Sequence, residues 1–343
     1  LKEENFSAEQ RKKIHIGQFV HTPFFNIHEI QGLIREDKRK RVKSEFYDPF
    51  NESIESVLQR LTWGMLSNDF IGFHTKEYCD HYLEALEEWF PIRIKVRESF
   101  YEISHQNRVT TVGALPIGLD VDRILEETSR GKVLKYRVGR ESLYKRIRTE
   151  KEEKKIIFGG LERRDYTKGL MERLRIFYHA FNRLKDSNQG AVFYQVTAPS
   201  RTSSPDYQRL TTELEKEIDR LNRSMPGRPI THMNKGMSPP HNYRFMKEVD
   251  VMLVTPLEDG MNLVAFEFIL SQKDKNPLER GILALSTSGA SRVMKEKGFG
   301  DEDGIVFINP MKTKEAAGKI FRALEAGKRL SERLIDYGEK ERR

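Results

Sequence analysis

At 343 residues the chain is long enough for two domains, each with its own core, and 37% hydrophobic with 33% charged residues suits a soluble globular protein on the polar side. No apolar run reaches the length of a membrane span and no signal-peptide core follows the start, so neither a membrane segment nor a membrane partner is expected. A formal charge of +8 permits nucleic-acid binding, but no nucleic-acid signature accompanies it, and anionic small substrates explain the charge equally well.

In chain order, residues 1–13 are polar and read as a helix surface or a frayed start. Residues 13–21 read as a strand ending at His21, and Thr22-Pro23 as a turn. The basic run 38–43 reads as a solvated loop or helix face. Residues 61–74 read as a helix entering a short buried strand. Thr75 then caps a helix to Phe90, whose stripe Tyr78, Tyr82, Leu86 and Phe90 reads as core. The single cysteine, Cys79, lies in that helix; it excludes an internal disulfide framework and suits a reducing cytoplasm. His74 and His81 lack partners at metal-ligand spacing, so no metal is assigned. A strand at 109–112 follows, then a densely charged helical segment from Asp120 to about Lys155. The expected division is a first domain with its linker at 1–150 and a second domain at 151–343.

The second domain alternates strand and helix. Strands are expected at 156–159, 191–196, 229–233, 251–254, 282–286 and 305–308, with helices between them, notably 169–184 and 207–223. That alternation predicts an α/β fold with a parallel doubly wound sheet, whose ligands bind at the carboxyl ends of the strands. No GxGxxG fingerprint is present.

Two strand-to-helix junctions carry the chemistry. In 249–267, Pro256 stops the strand, Glu258-Asp259-Gly260 is a turn, and a helix begins from Asn262. Unpaired amides and the dipole at a helix start hold a phosphate, and Glu267, two turns in, is placed to accept hydrogen bonds from sugar hydroxyls. An ordinary βα unit with Asp259 as a cap is the plainer alternative. In 156–170, Arg163 and Lys168 stand five residues apart at the turn and suit a diphosphate if both face one cleft; otherwise they are solvated surface charges. A third strand ends in Pro199-Ser200-Arg201.

Arg163-x-Asp165-Tyr166-Thr167-Lys168-Gly169, Pro199-Ser200-Arg201 and Thr255-Pro256-Leu257-x-Asp259-Gly260-Met261-Asn262-Leu263-Val264-Ala265-x-Glu267 together resemble the trehalose-6-phosphate synthase family of retaining glycosyltransferases, as do residues 71–75 and 115–120. The resemblance runs from about His15 to about Asn309. It implies the GT-B arrangement, two Rossmann-like domains facing across a cleft, with the first domain here lacking its N-terminal part. It implies glucose transfer from a nucleotide sugar, UDP-glucose favoured, to glucose 6-phosphate, giving trehalose 6-phosphate, with no cofactor or metal required. By the family pattern Arg163 and Lys168 hold the donor diphosphate, with the Leu263 and Val264 amides and Asn262 beside them. Glu267 holds the ribose, Asp259 and His21 contact the transferred sugar, and Arg201 meets the acceptor phosphate. Two positions depart from the pattern: prolines 239 and 240 fall near an expected cation, and Phe266 stands where a lysine often precedes the glutamate. A glucosylglycerol-phosphate synthase using glycerol 3-phosphate, or a non-catalytic regulatory subunit of the same fold, is the alternative. The donor base and the oligomeric state, a homo-oligomer included, stay open.

Overall fold

A computed structural model describes residues 15–42, 53–129, 136–138, 141–201 and 203–341. It divides into two compact units, 1–117 and 118–343.

The first unit runs β1 (Gly17–Val20), α1 (Ile27–Val42), α2 (Ile54–Met65), β2 (Phe70–Phe73), α3 (Lys76–Trp89), β3 (Arg93–Arg97), β4 (Phe100–His105) and β5 (Arg108–Ala114). Its sheet has the order β1-β2-β5-β4-β3: β1, β2 and β5 are parallel, and β4 and β3 extend them antiparallel. The Thr75 hydroxyl accepts from the Tyr78 amide and starts α3, as its sequence predicts. Tyr78, Tyr82 and Leu86 are buried with Phe24, Ile71, Phe73 and Val112, while Phe90 is half-buried at the edge. Cys79 lies in this core, where burial pushes its thiol up to about 12, so it is an inert apolar group. The basic run falls on the last turns of α1, with Lys43 outside the described residues, as is 1–14.

The second unit runs α4 (Val121–Ser129), β6 (Arg137–Val138), β7 (Glu141–Ser142), α5 (Leu143–Glu152), β8 (Ile156–Arg163), α6 (Leu170–Asp186), β9 (Ala191–Ala198), α7 (Pro205–Ser224), β10 (Ile230–Met233), α8 (Pro239–Glu248), β11 (Val251–Val254), α9 (Leu263–Ser271), β12 (Ile282–Ser286), α10 (Gly289–Glu296), β13 (Ile305–Ile308), α11 (Thr313–Glu325) and α12 (Glu332–Glu341). The division falls earlier than the one expected near residue 150. Val121, Ile124, Leu143 and Ile147 of α4 and α5 are buried in the same core as Met252, Phe266 and Phe268, so both helices belong to this unit.

All six long strands are parallel, in the order β10-β9-β8-β11-β12-β13. Alternate residues feed two cores. Phe158, Val251 and Leu253 face the layer containing α6, α7 and α11; Ile157, Met252 and Val254 face the layer containing α8, α9 and α12. Strands covered on both faces must be apolar throughout, which is why they read so clearly as short Val- and Leu-rich runs. The chain leaves β8 toward β9 on one side and returns to β11 on the other. This reversal is the point at which doubly wound sheets open a crevice for ligands.

Candidate functional site

The predicted junctions after β8 and β11 flank that reversal. Strands β8 and β11 pair only at Phe158↔Val251 and Gly159↔Met252. Asp250 extends the seam, its Oδ2 accepting from the Ile157 amide at 2.8 Å. Past Gly159 the two strands have no pairing with each other, and their ends carry polar side chains.

Lys168 ends a single 3-10 turn, Tyr166–Lys168, capped by Asp165, whose carboxylate accepts from the Thr167 amide. Gly169 follows at φ 59 and starts α6. A Cβ there would stand 2.0 Å from the Thr255 carbonyl oxygen, so the β8 and β11 loops touch backbone to backbone. The Leu257 amide donates to the Thr167 carbonyl at 2.6 Å and closes the same contact.

The side chains meet above this contact. Lys168 Nζ is 2.6 Å from Asp259 Oδ2 and 3.7 Å from Glu162 Oε2. Asn262 Nδ2 donates to Glu162 Oε1 at 2.7 Å and to Asp259 Oδ2 at 2.9 Å. Arg173 Nη2 lies 3.9 Å from Glu162 Oε1, and its Nε donates to Thr255 Oγ1 at 2.9 Å. Burial favours the neutral form of Lys168, but the Glu162 and Asp259 charges outweigh it and hold the ammonium above its ordinary range. Burial raises Glu162 against the pull of Lys168 and Arg173. Arg173, fully buried, is lowered by burial to about 10 and stays charged at neutral pH.

Asn262 is the N-cap residue of α9, yet its side chain makes no cap bond; it turns to the two carboxylates instead. Asp259, read alternatively as a cap, pairs with Lys168. Leu263 and Val264 open α9, half-buried, with their amides at the helix start. Glu267 lies one turn further along α9, and burial together with the Glu162 charge pushes its carboxyl up to about 7. Because the folded form binds this proton more tightly than the unfolded chain does, the stability it contributes is full below the ordinary carboxylate range and is lost as pH rises through 7. Glu267→Gln is therefore expected to stabilise the fold at about pH 8, by about 3 kcal/mol at most, and to change little at about pH 4; melting curves at both values check it.

Other expected residues lie apart from this cluster. Arg163 is exposed at the end of β8, close enough to disfavour the charge on Lys168. Arg201, exposed at φ 44, places its guanidinium 5.5 Å from the Tyr207 ring centroid. The Tyr207 hydroxyl donates to Asp165 Oδ2 at 3.1 Å, which ties this loop to the turn that carries Lys168. His21, in the first unit, is exposed just past β1, its ring 4.8 Å from that of Phe19 and 5.4 Å from that of His74. Phe266 is fully buried, and Pro239 and Pro240 form the first turn of α8. Among the described residues no group of three His, Cys, Asp or Glu is placed to hold a metal. No described helix is long and apolar enough to cross a membrane.

Glu162 and Arg173 belong to the cluster but were not singled out from the sequence. The available signal was positional: Glu162 interrupts the apolar run of β8 one residue before its end, and Arg173 sits on the buried stripe of α6 beside Leu170, Leu174 and Phe177.

The chain is 29% identical over 92% of its length to an alpha,alpha-trehalose-phosphate synthase [UDP-forming] from Candida albicans, and 30% over 92% to the 56 kDa subunit of the corresponding enzyme from Saccharomyces cerevisiae. It spans 57% and 55% of the lengths of those two relatives. In fold it matches the crystal structure of an alpha,alpha-trehalose-phosphate synthase (UDP-forming) from Burkholderia xenovorans in complex with glucose-6-phosphate, with TM-score 0.74 and 24% identity over 96% of this chain and 65% of that one. A structure from E. coli bound with UDP-2-fluoro glucose matches with TM-score 0.73 and 24% identity over 96% of this chain and 66% of that one. These likenesses place the α/β architecture among the GT-B trehalose-phosphate synthases, each unit Rossmann-like. The model for glycosyltransferase family 20 matches residues 53–336, which is most of the sequence: the chain belongs to glycosyltransferase family 20.

Proposed function

We propose that the second unit is the donor-binding half of a retaining glucosyltransferase, which takes glucose from UDP-glucose and passes it to glucose 6-phosphate to give trehalose 6-phosphate and UDP. The observation that carries this reading is the Lys168 ammonium at the sheet's reversal point, fixed between two carboxylates and beside the start of α9. The names of the two fungal relatives and the ligands of the two bacterial structures support the choice of donor and acceptor.

In this reading Lys168 and Arg163 take the donor diphosphate, with the Leu263 and Val264 amides, and Asn262 stands beside them. Asp259 turns from Lys168 to the sugar, and Glu267 accepts from the ribose hydroxyls. His21 is assigned to the sugar, and Arg201 to the acceptor phosphate, by the family pattern. The glucosyl C1–O bond to UDP breaks as a C1–O bond to the acceptor hydroxyl forms on the same face. The acceptor proton passes to the departing diphosphate, whose charge the two cations and the helix start offset without a metal. A cytoplasmic setting suits substrates of this kind.

Titration calorimetry with UDP, ADP and GDP tests the donor site. One diphosphate is expected to bind, UDP foremost, and a chain that binds none of the three would not carry this function. UDP-glucose affinity is expected to rise with pH through 7 as Glu267 ionises, and Glu267→Gln to flatten that rise. The sugar nucleotide suits this measurement because its diphosphate is doubly esterified and has no terminal-phosphate proton to lose near neutrality.

Phe266 in the core and two prolines opening α8 supply no cation where the family pattern places acceptor contacts. That favours glycerol 3-phosphate as a second candidate acceptor. A transfer assay offering both acceptors decides between them.

A further inference from the structure

We propose that Glu162 is the positioning residue of the donor site: its buried carboxylate, bonded to Asn262 and flanked by Lys168 and Arg173, fixes the Lys168 ammonium between the loops that follow β8 and β11. The proposal rests on the donor-site reading above.

The geometry carries it in three steps. First, Glu162 is 6% exposed and stands at the end of the strand beside the reversal, so its position is set by the sheet rather than by a loop. Lys168, Asp259 and Asn262, by contrast, lie on or beside the loops, and Asn262 reaches Glu162 across 100 residues of sequence. Second, Lys168 has two carboxylate neighbours of different kinds. Asp259 is close, at 2.6 Å, and is half-buried. Glu162 is farther, at 3.7 Å, and buried. When Asp259 is given over to the sugar, Glu162 is the carboxylate that still directs the ammonium.

Third, Glu162 is itself supported from below. The Arg173 guanidinium is fully buried, and its Nη1 and Nη2 have no hydrogen-bond partner among the described residues. Room for it exists because residue 160 is glycine: a Cβ there would meet Arg173 Cδ at 2.7 Å. A buried cation with two unspent donor groups, 3.9 Å from a buried carboxylate, favours the ionised form of that carboxylate against its burial. Arg173 thus acts on Glu162, and Glu162 on Lys168 and Asn262. Neither is placed to touch a transferring atom.

The test uses Glu162→Gln, which removes the charge at constant shape, Glu162→Asp as the conservative variant, and Lys168→Met alone and combined with Glu162→Gln. Two readouts are taken well below the melting temperature. One is the side-chain ammonium resonance of Lys168 in the nucleotide-free protein, assigned by its loss in Lys168→Met. The other is UDP affinity.

Glu162→Gln is expected to broaden or shift the ammonium resonance and to weaken UDP binding by about tenfold. Glu162→Asp is expected to restore most of both. In the Lys168→Met background, Glu162→Gln is expected to cost little further affinity, because the ammonium it chiefly positions is gone. An unchanged ammonium resonance in Glu162→Gln, or losses that simply add in the double variant, would overturn the positioning role. A merely structural glutamate would lower the melting temperature and leave both readouts as they are. If the wild-type chain binds no nucleotide, the donor-site reading fails, and the resonance still decides the role of Glu162.

Discussion

Replacing Lys168 with methionine is expected to abolish most nucleoside diphosphate binding, with a loss of about 100-fold or more for UDP by calorimetry. The reason goes beyond one missing cation. Lys168 Nζ lies between Asp259 and Glu162, with side chains 13% and 5% exposed, so its removal takes away the cation that both carboxylates share and leaves Glu162 to Asn262 and Arg173. Breaking a buried pair from one side costs about 3 kcal/mol in comparable settings. The fold is therefore expected to weaken as well. The sign with pH separates the two effects. Without the Lys168 charge opposing its burial, Glu162 titrates still higher in the folded state than in the unfolded chain, so the variant recovers stability as pH falls and is weakest in alkali. UDP binding does not recover, since no cation returns. Melting curves across pH, set beside binding at one pH, distinguish lost stability from lost recognition. Parallel recovery of both would contradict this account.

Gly169→Ala is expected to have a large effect for a single added methyl group. The residue sits at φ 59, where alanine costs about 1 kcal/mol. The added Cβ would also lie 2.0 Å from the Thr255 carbonyl, a backbone atom at the end of β11 that cannot rotate aside. Relief requires the β8 loop to lift from the β11 loop, breaking the Leu257-to-Thr167 bond and parting Lys168 from Asp259. A loss of about 3 kcal/mol or more in chemical unfolding is expected, together with loss of UDP binding in whatever remains folded. Wild-type stability in this variant would mean that the two loops are not in backbone contact.

Much of this was legible in the chain because of where it is buried. The parallel strands of the second unit are covered on both faces, so β11, β12 and β13 appear as uninterrupted apolar runs, and their limits coincide with those read from sequence. Strands β8 and β9 extend further than expected, β8 running on through Glu162 and Arg163 and β9 through Thr197 and Ala198. The β3–β4 hairpin of the first unit was not foreseen. Strand β3 is largely exposed, as at Val96, and alternates charged with apolar residues, while β4 is mostly half-buried with only Ile103 in the core, so no buried run marks them. The turn residues Gln106 and Asn107, both at positive φ, were the overlooked signal for the β4–β5 connection.

The cluster was half legible. Lys168, Asp259 and Asn262 sit in turn-rich stretches where a charge invites a functional reading. Glu162 and Arg173 sit inside regular elements, where sequence alone does not reveal which face a charge takes. Arg201 illustrates the opposite case, since it is motif-bound yet rests on Tyr207 rather than in the cluster.

The long reach of the cluster's bonds has a kinetic consequence. Glu162 meets Asn262 across 100 residues, Lys168 meets Asp259 across 91, and the seam bond from Ile157 to Asp250 spans 93. Contacts of such separation form only after the loop-closure entropy of the intervening β9, α7 and β10 has been overcome, which makes them late events in folding. During synthesis, a ribosome must deliver the chain past Asn262 before these long-range bonds can form. Nucleotide therefore has no early intermediate to rescue. It can only hold the finished unit, drawing the last step forward by mass action once β11 has found its place beside β8.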